Sequence, residues 1–296
     1  MSASTDPVLV TGGSGFVAAA LIAALAPRGN VRVSQRQTAA AAHEIVVGEM
    51  GRGADWRRAL EGVHTVVHLA GPAHAALPED AIRRGIVEGA RELVDQAAAA
   101  GVQRMVFISS IKACAEKTEG KALSEDDAPR PKDAYGRAKL DAERIVLERA
   151  ALAPVVLRPP LVYAANAKGN FGKLLRWLDS GAPLPLAGIE NRRSLISLSS
   201  LVEAIDAVLA RDGATGVFHL ADEPAVSIGE MAALLRQGMG RPARLFALPG
   251  FGALGPAPLV RSLEVDASRF RAAYASAGTD IREGLIACGR AWRART

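Results

Sequence analysis

The chain is poor in the residues from which disulfide frameworks, metal sites and membrane spans are built. Its 296 residues include two cysteines, Cys114 and Cys288, whose wide separation excludes a disulfide framework. It has five histidines, and His64 and His68 would lie about 13 Å apart on a predicted strand, too far to share a metal ion. The longest apolar run, residues 16–26, is too short to cross a bilayer. We therefore expect no metal site and no membrane partner.

The distribution of charge limits the possible partners further. The net charge is +5 and the isoelectric point about 9.5, but the basic residues are scattered and no run of five occurs. This pattern favours a solvated surface over a nucleic-acid interface and leaves a phosphate-bearing small ligand open. Hydrophobic residues make up 49% of the chain, which is enough for a sizeable core. No signal-peptide pattern is present at the start of the sequence, so we expect a cytoplasmic protein.

Short apolar runs alternate with helical stretches in the first half of the chain. Such alternation is typical of a parallel sheet covered by helices on both faces. Predicted strands cover residues 8–10, 31–33, 44–47, 63–69, 104–109 and 154–158, and predicted helices cover residues 15–26, 54–60, 78–100 and 133–150. We predict an α/β fold with a Rossmann-type doubly wound parallel sheet. Residues 1–160 would form a dinucleotide-binding domain and residues 161–296 a smaller substrate lobe, with segments at about 195–220 returning to the sheet.

A glycine-rich turn follows the first predicted strand and precedes the first predicted helix. Gly12 and Gly15 would let the backbone turn tightly and let a pyrophosphate approach the main chain. Phe16 and Val17 would open a helix whose amide groups can bind phosphate, and Ala18 stands where a third glycine is usual. An ordinary glycine-rich turn is the alternative, but its place after the first strand of an alternating sheet favours dinucleotide binding.

Further cofactor contacts are expected at the ends of the next three strands. Where an NAD enzyme normally has Asp or Glu after the second strand, this chain has Gln35 followed by Arg36. Arg36 could pair with a 2′-phosphate, which slightly favours NADP over NAD; a solvated Arg36, or one that stacks on adenine, is the alternative. Glu49 could hydrogen-bond the adenine amino group, and Leu69 and Ala70 are expected to line the same site.

A candidate catalytic constellation lies after the fifth predicted strand. Ser109 and Ser110 end that strand at the edge of the sheet where ligands bind. Tyr135 and Lys139 are four residues apart and share a helical face. A neighbouring ammonium and an oxidised nicotinamide would both favour tyrosinate, so Tyr135 could exchange the substrate hydroxyl proton while Ser110 holds the oxygen. A surface Tyr and Lys on an amphipathic helix is the alternative reading.

The sequence resembles the extended short-chain dehydrogenase/reductase family, of the NAD-dependent epimerase/dehydratase type, over nearly its whole length. The motifs that carry the resemblance are residues 11–17, 109–110, 135–139, 157–163, 168–171 and 191–196. The last three motifs are similar to those of a bacterial subgroup acting on UDP-linked hexosamines and their 4-keto-6-deoxy derivatives in polysaccharide synthesis. The resemblance thus implies a nucleotide-diphosphate sugar as substrate.

The resemblance also implies residues that bind this substrate and a protein partner. Asn170 and Arg193 would contact the diphosphate, with Arg261 as a third contact. The protein would be a homodimer through the helix that bears the catalytic tyrosine and the neighbouring helix.

Three departures from the family pattern lie near the expected site. Ile86 stands where Asn usually orders the strand-end loops beside the cofactor. Residues 113–115 and 164–165 replace stretches that usually contain Gly. Geometry, rate or substrate could therefore differ from those usual in the subgroup.

These observations favour an NAD(P)-dependent enzyme acting at C4 of a nucleotide-linked sugar. Gln35 in place of an acid, together with Arg36, slightly favours a 4-ketoreductase over a 4-epimerase. One alternative is a reductase of the same fold for a non-nucleotide carbonyl compound. Another is a dinucleotide-binding protein without catalytic activity.

Overall fold

A computed structural model describes residues 7–72, 77–211, 213–250, 252, 255–275 and 279–295. The strands are β1 (Val8–Val10), β2 (Val31–Gln35), β3 (Glu44–Val46), β4 (Thr65–His68), β5 (Arg104–Ile108), β6 (Val155–Arg158), β7 (Leu161–Tyr163), β8 (Leu184–Ala187), β9 (Arg193–Ser197), β10 (Gly216–His219), β11 (Asp222–Val226) and β12 (Leu245–Ala247). The helices are α1 (Phe16–Leu25), α2 (Arg57–Leu60), α3 (Glu79–Arg83), α4 (Gly89–Ala99), α5 (Ala134–Leu147), α6 (Gly169–Asp179), α7 (Leu198–Leu209), α8 (Ile228–Gly238), α9 (Ala257–Val260), α10 (Ser268–Tyr274) and α11 (Ile281–Arg293). Over these described ranges, no helix is long and apolar enough to cross a membrane.

Seven parallel strands form the central sheet in the order β10-β6-β5-β4-β1-β2-β3. Strand β1 is fully buried inside the sheet, and Val10 pairs with Val33 of β2 on one side and with Val67 of β4 on the other. The strand order therefore reverses between β1 and β4, and ligands of such sheets bind at the carboxyl edge beside this point. The prediction of a Rossmann-type doubly wound parallel sheet is confirmed.

Each face of the sheet is covered by its own apolar cluster. On one face, side chains of α2, α4 and α5 pack against the strands around Trp56 and Leu93. On the other face, α1, α7 and α10 pack around Leu21, Leu201 and Phe270. Because both faces are buried, the strands read as continuous apolar runs in the sequence, and this is why the sequence predicted them.

The long helix predicted over residues 78–100 is interrupted. Between α3 and α4 the chain forms a π-helical segment, Arg84–Glu88. At its ends the backbone approaches other chain segments closely: a Cβ on Gly85 would lie 2.9 Å from Pro72, and one on Gly89 would lie 2.6 Å from Met50. A larger side chain at position 85 or 89 would require Pro72 or Met50 to move. The helical periodicity of the sequence does not reveal this close packing.

A smaller lobe is built around β7, β9 and β11, which form a three-stranded sheet, and around the β8–β12 pair. Helices α6, α8 and α11 enclose its core. Of the segment at about 195–220 that was expected to return to the main sheet, α7 packs on that sheet and β10 forms its edge, whereas β9 pairs within the lobe. Strand β9 nevertheless joins the two parts, since Leu195 faces the lobe core and Ile196 the core of the main sheet.

Candidate active site

The glycine-rich turn after β1 brings the backbone against the end of β4. Gly12 has φ +73°, and a Cβ there would lie 2.9 Å from the Cα of Ala70. A Cβ on Gly13 would lie 2.3 Å from the Val33 side chain of β2. The turn closes with the Gly15 amide donating to the Gly12 carbonyl at 2.8 Å, directly before α1.

Thr11 fixes the strand end opposite this turn. Its Oγ1 accepts the backbone N–H groups of Leu69 and Ala70, each at 3.0 Å, and lies 2.8 Å from Nδ1 of His68. Because the hydroxyl already accepts two hydrogen bonds, its one proton is donated to His68. Burial and the charge of Lys139 hold the pKa of His68 at about 3, so the ring is a neutral acceptor.

The turn and the start of α1 fit a dinucleotide pyrophosphate. A Cβ on Gly12 or Gly13 would meet Ala70 or Val33, so the tight turn that precedes α1 needs glycine at both positions. The residue before α1, Gly15, has no side chain with which to cap the helix, and the first turn contains no acidic residue. The amides of Phe16 and Val17 and the positive end of the helix dipole are therefore available for an anion.

A carboxylate of β3 that was not predicted from the sequence lies beside the end of β2. The Gln35 side chain donates to Glu44 of β3 at 2.7 Å, and a Cβ on Gly13 would lie 3.0 Å from the same Gln35 amide nitrogen. Hydrogen bonds from the backbone and from Gln35 hold the pKa of Glu44 below its usual value, so this carboxylate is ionised. Arg36 is exposed, and Glu49 lies 3.6 Å from Arg52.

The backbone after Ser109 and Ser110 closely approaches the start of α5, the helix that bears Tyr135. Ser109 follows β5 and is buried, and Ser110 begins a 3₁₀ turn that ends at Ala113. In this turn the Lys112 carbonyl lies 2.3 Å from the position of a Cβ on Gly136, the residue after Tyr135. Only glycine at position 136 allows this separation, which brings Ser110 close enough to the Tyr135 hydroxyl to lower its pKa.

An aspartate fixes the start of α5. Asp133 caps this helix by accepting the Gly136 amide at 2.7 Å, and it pairs with the Lys112 ammonium at 2.6 Å. The Lys112 ammonium and the Gly136 amide both lower the pKa of Asp133, against its partial burial. The cap thus connects the serine turn and the first turn of α5 through a charged hydrogen bond.

Lys139 is buried one helical turn after Tyr135. Its Nζ donates to the Ile108 carbonyl at 2.9 Å and lies 4.7 Å from the centre of the Phe107 ring and 6.0 Å from that of Tyr135. Burial lowers the pKa of Lys139 to about 8, and the Glu143 carboxylate opposes this change. The ammonium therefore titrates near physiological pH.

The Tyr135 hydroxyl has a raised pKa in the protein alone. Burial and the negative charge of Asp133 raise it to about 12, although the hydrogen bond with Ser110 favours tyrosinate. Burial therefore keeps Tyr135 a neutral phenol in the protein alone. That Lys139 favours tyrosinate stays a prediction. The positive charge of an oxidised nicotinamide would act in the opposite direction.

Two of the three predicted diphosphate contacts, Arg193 and Arg261, lie together in the smaller lobe. Arg193, at the start of β9, donates to the Arg261 carbonyl at 3.0 Å, and burial lowers its pKa. Asn191 was overlooked as a separate site residue; its amide donates to the carbonyls of Leu259 at 3.0 Å and Arg261 at 3.3 Å. Asn170 is exposed in the first turn of α6.

The chain that follows Arg261 leads back to the serine segment. The Ser262 carbonyl accepts the Thr118 amide at 2.9 Å. Leu263 and Val265 pack with Ile111, which follows Ser110 directly. The predicted diphosphate and catalytic residues are thus joined by a continuous set of contacts.

The comparisons with known proteins agree with this geometry. The family model of the NAD dependent epimerase/dehydratase family matches residues 8–221. The chain belongs to this family. It is also 32% identical over 257 residues to a UDP-glucose 4-epimerase of Vibrio cholerae, a match that spans 82% of this chain and 78% of the relative.

Two solved structures show how far the architecture of this epimerase/dehydratase chain is shared. The complex of MoeE5 with UDP-glucuronic acid and NAD has a TM-score of 0.79 and 25% identity, covering 98% of this chain and 99% of that one. The Bordetella bronchiseptica enzyme WbmG in complex with NAD has a TM-score of 0.83 at 21% identity, covering 99% and 95%. Both structures therefore share the fold of this chain over almost its whole length.

The departures from the family pattern lie on buried apolar surfaces. Ile86 lies in the π-helical segment, and its Cγ1 is 3.5 Å from the position of a Cβ on Gly71, next to the end of β4. Ala113 and Cys114 are buried, and the Cys114 sulfur accepts a hydrogen bond from Arg158 at 2.9 Å. Ala18 is buried in the α1 side of the core, so its methyl group is accommodated.

The Thr11 hydroxyl provides a direct test of the cofactor site. Thr11→Val leaves the buried amides of Leu69 and Ala70 without an acceptor, so we expect the free energy of unfolding to fall by about 2–4 kcal/mol and NAD to bind more weakly. Thr11→Ser keeps the hydroxyl and should stay near the wild type. Urea unfolding and calorimetric titration with NAD measure both effects. Equal behaviour of the two variants would contradict the assigned role.

Proposed function

We propose that the chain exchanges hydride at C4 of a nucleotide-diphosphate sugar, with Ser110, Tyr135 and Lys139 as its catalytic residues. The observation that carries this proposal is that Ser110 lies close enough to the Tyr135 hydroxyl to lower its pKa, with the buried Lys139 ammonium one turn away. Ser110 follows β5 and Tyr135 opens α5 at the carboxyl edge of the sheet, where ligands bind, and Lys139 lies one turn further along α5. Thr11 and His68 link this group to the glycine-rich turn.

Each catalytic side chain has a distinct role. When bound, the nicotinamide supplies the acceptor and donor of hydride at C4. The Tyr135 oxygen takes the proton of the C4 hydroxyl and later returns it, because it is an ionisable group beside Ser110. Ser110 holds the same substrate oxygen by a hydrogen bond, and Lys139 stabilises tyrosinate by its charge.

Several contacts in the smaller lobe support a diphosphate in the substrate. Arg193 is half-buried, and its guanidinium donates a hydrogen bond to the Arg261 carbonyl. This guanidinium is therefore partly withdrawn from water and held beside a second arginine. Partly desolvated arginines bind diphosphates well because their planar donor groups match the phosphate oxygens. The name of the Vibrio cholerae relative supports UDP as the nucleotide and glucose or a related hexose as the sugar.

Between the two reactions at C4, the structure and the relative favour a 4-epimerase that uses NAD. The ionised Glu44 beside Gln35 supplies an acid close to the glycine-rich turn, and such a charge disfavours the 2′-phosphate of NADP. The 4-ketoreductase remains the second candidate, because the exposed Arg36 next to Gln35 could still pair with that phosphate. Steady consumption of NADPH with a UDP-4-keto sugar would identify the reductase.

The Tyr135 hydroxyl gives the first test. Tyr135→Phe removes only the oxygen that carries the proton, so we expect turnover of UDP-glucose to fall by about 10²- to 10⁴-fold while NAD still binds. Tyr274→Phe is the matched control, because its hydroxyl bonds the Ala214 carbonyl at 2.8 Å, in the apolar cluster under α7 and α10. Initial rates and NAD titrations measure both variants. Full turnover in Tyr135→Phe would exclude the proposed proton transfer.

The arginine pair in the smaller lobe gives a second test. Arg193→Met should raise the KM for a UDP-sugar by about 10-fold or more, because a diphosphate loses a partly desolvated partner. Arg192→Met is the control, since Arg192 is exposed and pairs with Glu264 at 2.9 Å. Steady-state kinetics distinguish them. An unchanged KM in Arg193→Met, together with turnover of a simple ketone, would favour the non-nucleotide carbonyl reductase.

A further inference from the structure

A buried ion pair lies under the candidate catalytic residues. Glu143 of α5 and Arg158 at the end of β6 have side chains that are only 1% and 5% exposed. Arg158 binds the carboxylate with two nitrogens, Nε at 3.0 Å and Nη2 at 2.6 Å. A buried pair of this kind contributes little net stability compared with apolar side chains of similar volume. Stability alone therefore does not explain why the pair is present at this position.

Glu143 belongs to the same helical face as the catalytic side chains. It follows Lys139 by four residues and Tyr135 by eight, so the three side chains lie in successive turns of α5. Its carboxylate also accepts a hydrogen bond from the Ser109 hydroxyl. Ser109 lies between Ile108, whose carbonyl binds the Lys139 ammonium, and Ser110.

Arg158 extends these contacts to the chain on the other side of Ser110. Its Nη1 donates to the Cys114 sulfur at 2.9 Å and lies 3.4 Å from Nε2 of His219. The other ring nitrogen of His219 lies 3.2 Å from the Leu123 carbonyl, so His219 is neutral with its proton on Nδ1. The Glu143–Arg158 pair thus connects α5 with Cys114, which follows Ser110 in the chain, and with His219 at the end of β10.

We propose, on the basis of the C4 hydride chemistry inferred above, that Glu143 is a positioning residue for Lys139 and for the Ser109–Ser110 segment. The groups that face the Lys139 ammonium are the neutral His68 from β4, Tyr135 and Glu143 from α5, and the Ile108 carbonyl from β5. Glu143 is the one carboxylate among them. Arg158 bonds the Glu143 carboxylate, and the pKa of Lys139 responds to burial and to Glu143.

This role explains how a lysine can remain charged in a buried position. Burial alone favours neutral lysine, and a neutral Lys139 could not stabilise tyrosinate. The Glu143 carboxylate one turn away favours the ammonium, while Ser109 fixes the backbone that supplies the carbonyl acceptor. Lys139 then keeps its charge over the pH range in which Tyr135 must exchange a proton.

The ionisation of Lys139 can be measured without any substrate. The chain has seven lysines, and Lys139 is the only buried one in the described residues. Its signal in protein containing ¹³Cε-labelled lysine can therefore be assigned with a Lys139→Met variant. In Glu143→Gln we expect the apparent pKa of Lys139 to fall by about one pH unit or more, because a nearby negative charge is lost. Asp141→Asn, an exposed acid on the same helix, should leave the titration unchanged.

A double variant guards against loss of folding. Glu143→Gln alone leaves a buried Arg158 without its partner, so Glu143→Gln/Arg158→Met replaces the whole pair by neutral side chains. If this variant folds and Lys139 shows the lowered titration, the proposal is supported. An unchanged Lys139 titration in the folded double variant would overturn it.

Kinetics separate positioning from a merely structural role. With a UDP-sugar that the wild type converts, the double variant should lose about 10-fold or more in kcat at pH 8 with KM unchanged, since the proposed diphosphate contacts lie in the smaller lobe, away from Glu143. Loss of kcat without a change in the Lys139 titration would refute the proposal. If the wild type converts no UDP-sugar, the proposed function fails, and the substrate-free titration alone decides the role of Glu143.

Discussion

The buried ammonium of Lys139 is the charge around which the candidate site is arranged. It is withdrawn from water between the Phe107 ring and the Ile108 carbonyl, and burial lowers its pKa to about 8. A charge in such a place requires partners on every side. Helix α5 begins after the Asp133 cap, and Gly136 in its first turn contacts the 3₁₀ turn that follows Ser110. Tyr135, Lys139 and Glu143 lie in successive turns of this helix.

The two parts of the molecule are joined by short strands rather than by a flexible linker. Strand β9 turns Leu195 toward the lobe and Ile196 toward the main sheet, so its register couples the two cores. Arg193 at the start of β9 binds the same segment, near Arg261, that leads to Ile111 beside Ser110. A substrate that spans both parts, with its diphosphate at the lobe and its sugar at the sheet edge, suits this arrangement.

Features with a local signature were predictable from the sequence. The glycine-rich turn and the Tyr–Lys spacing follow from steric and helical rules, and both reappear in the structure. Contacts between distant residues were not predictable, because sequence spacing carries no pairing information. The Thr11–His68 bond and the acid that Glu44 supplies beside Gln35 are of this kind, and the latter shifts the balance from NADP toward NAD. The expected homodimer stays a prediction.

The most direct measurement follows the hydrogen at C4. UDP-glucose and UDP-N-acetylglucosamine deuterated at C4 would be incubated with the enzyme and NAD, and the products analysed by NMR and mass spectrometry. We expect the C4 epimer with the deuterium retained at C4 and no uptake of hydrogen from solvent. Epimerisation with loss of the label to solvent, or no conversion of either sugar nucleotide, would contradict it.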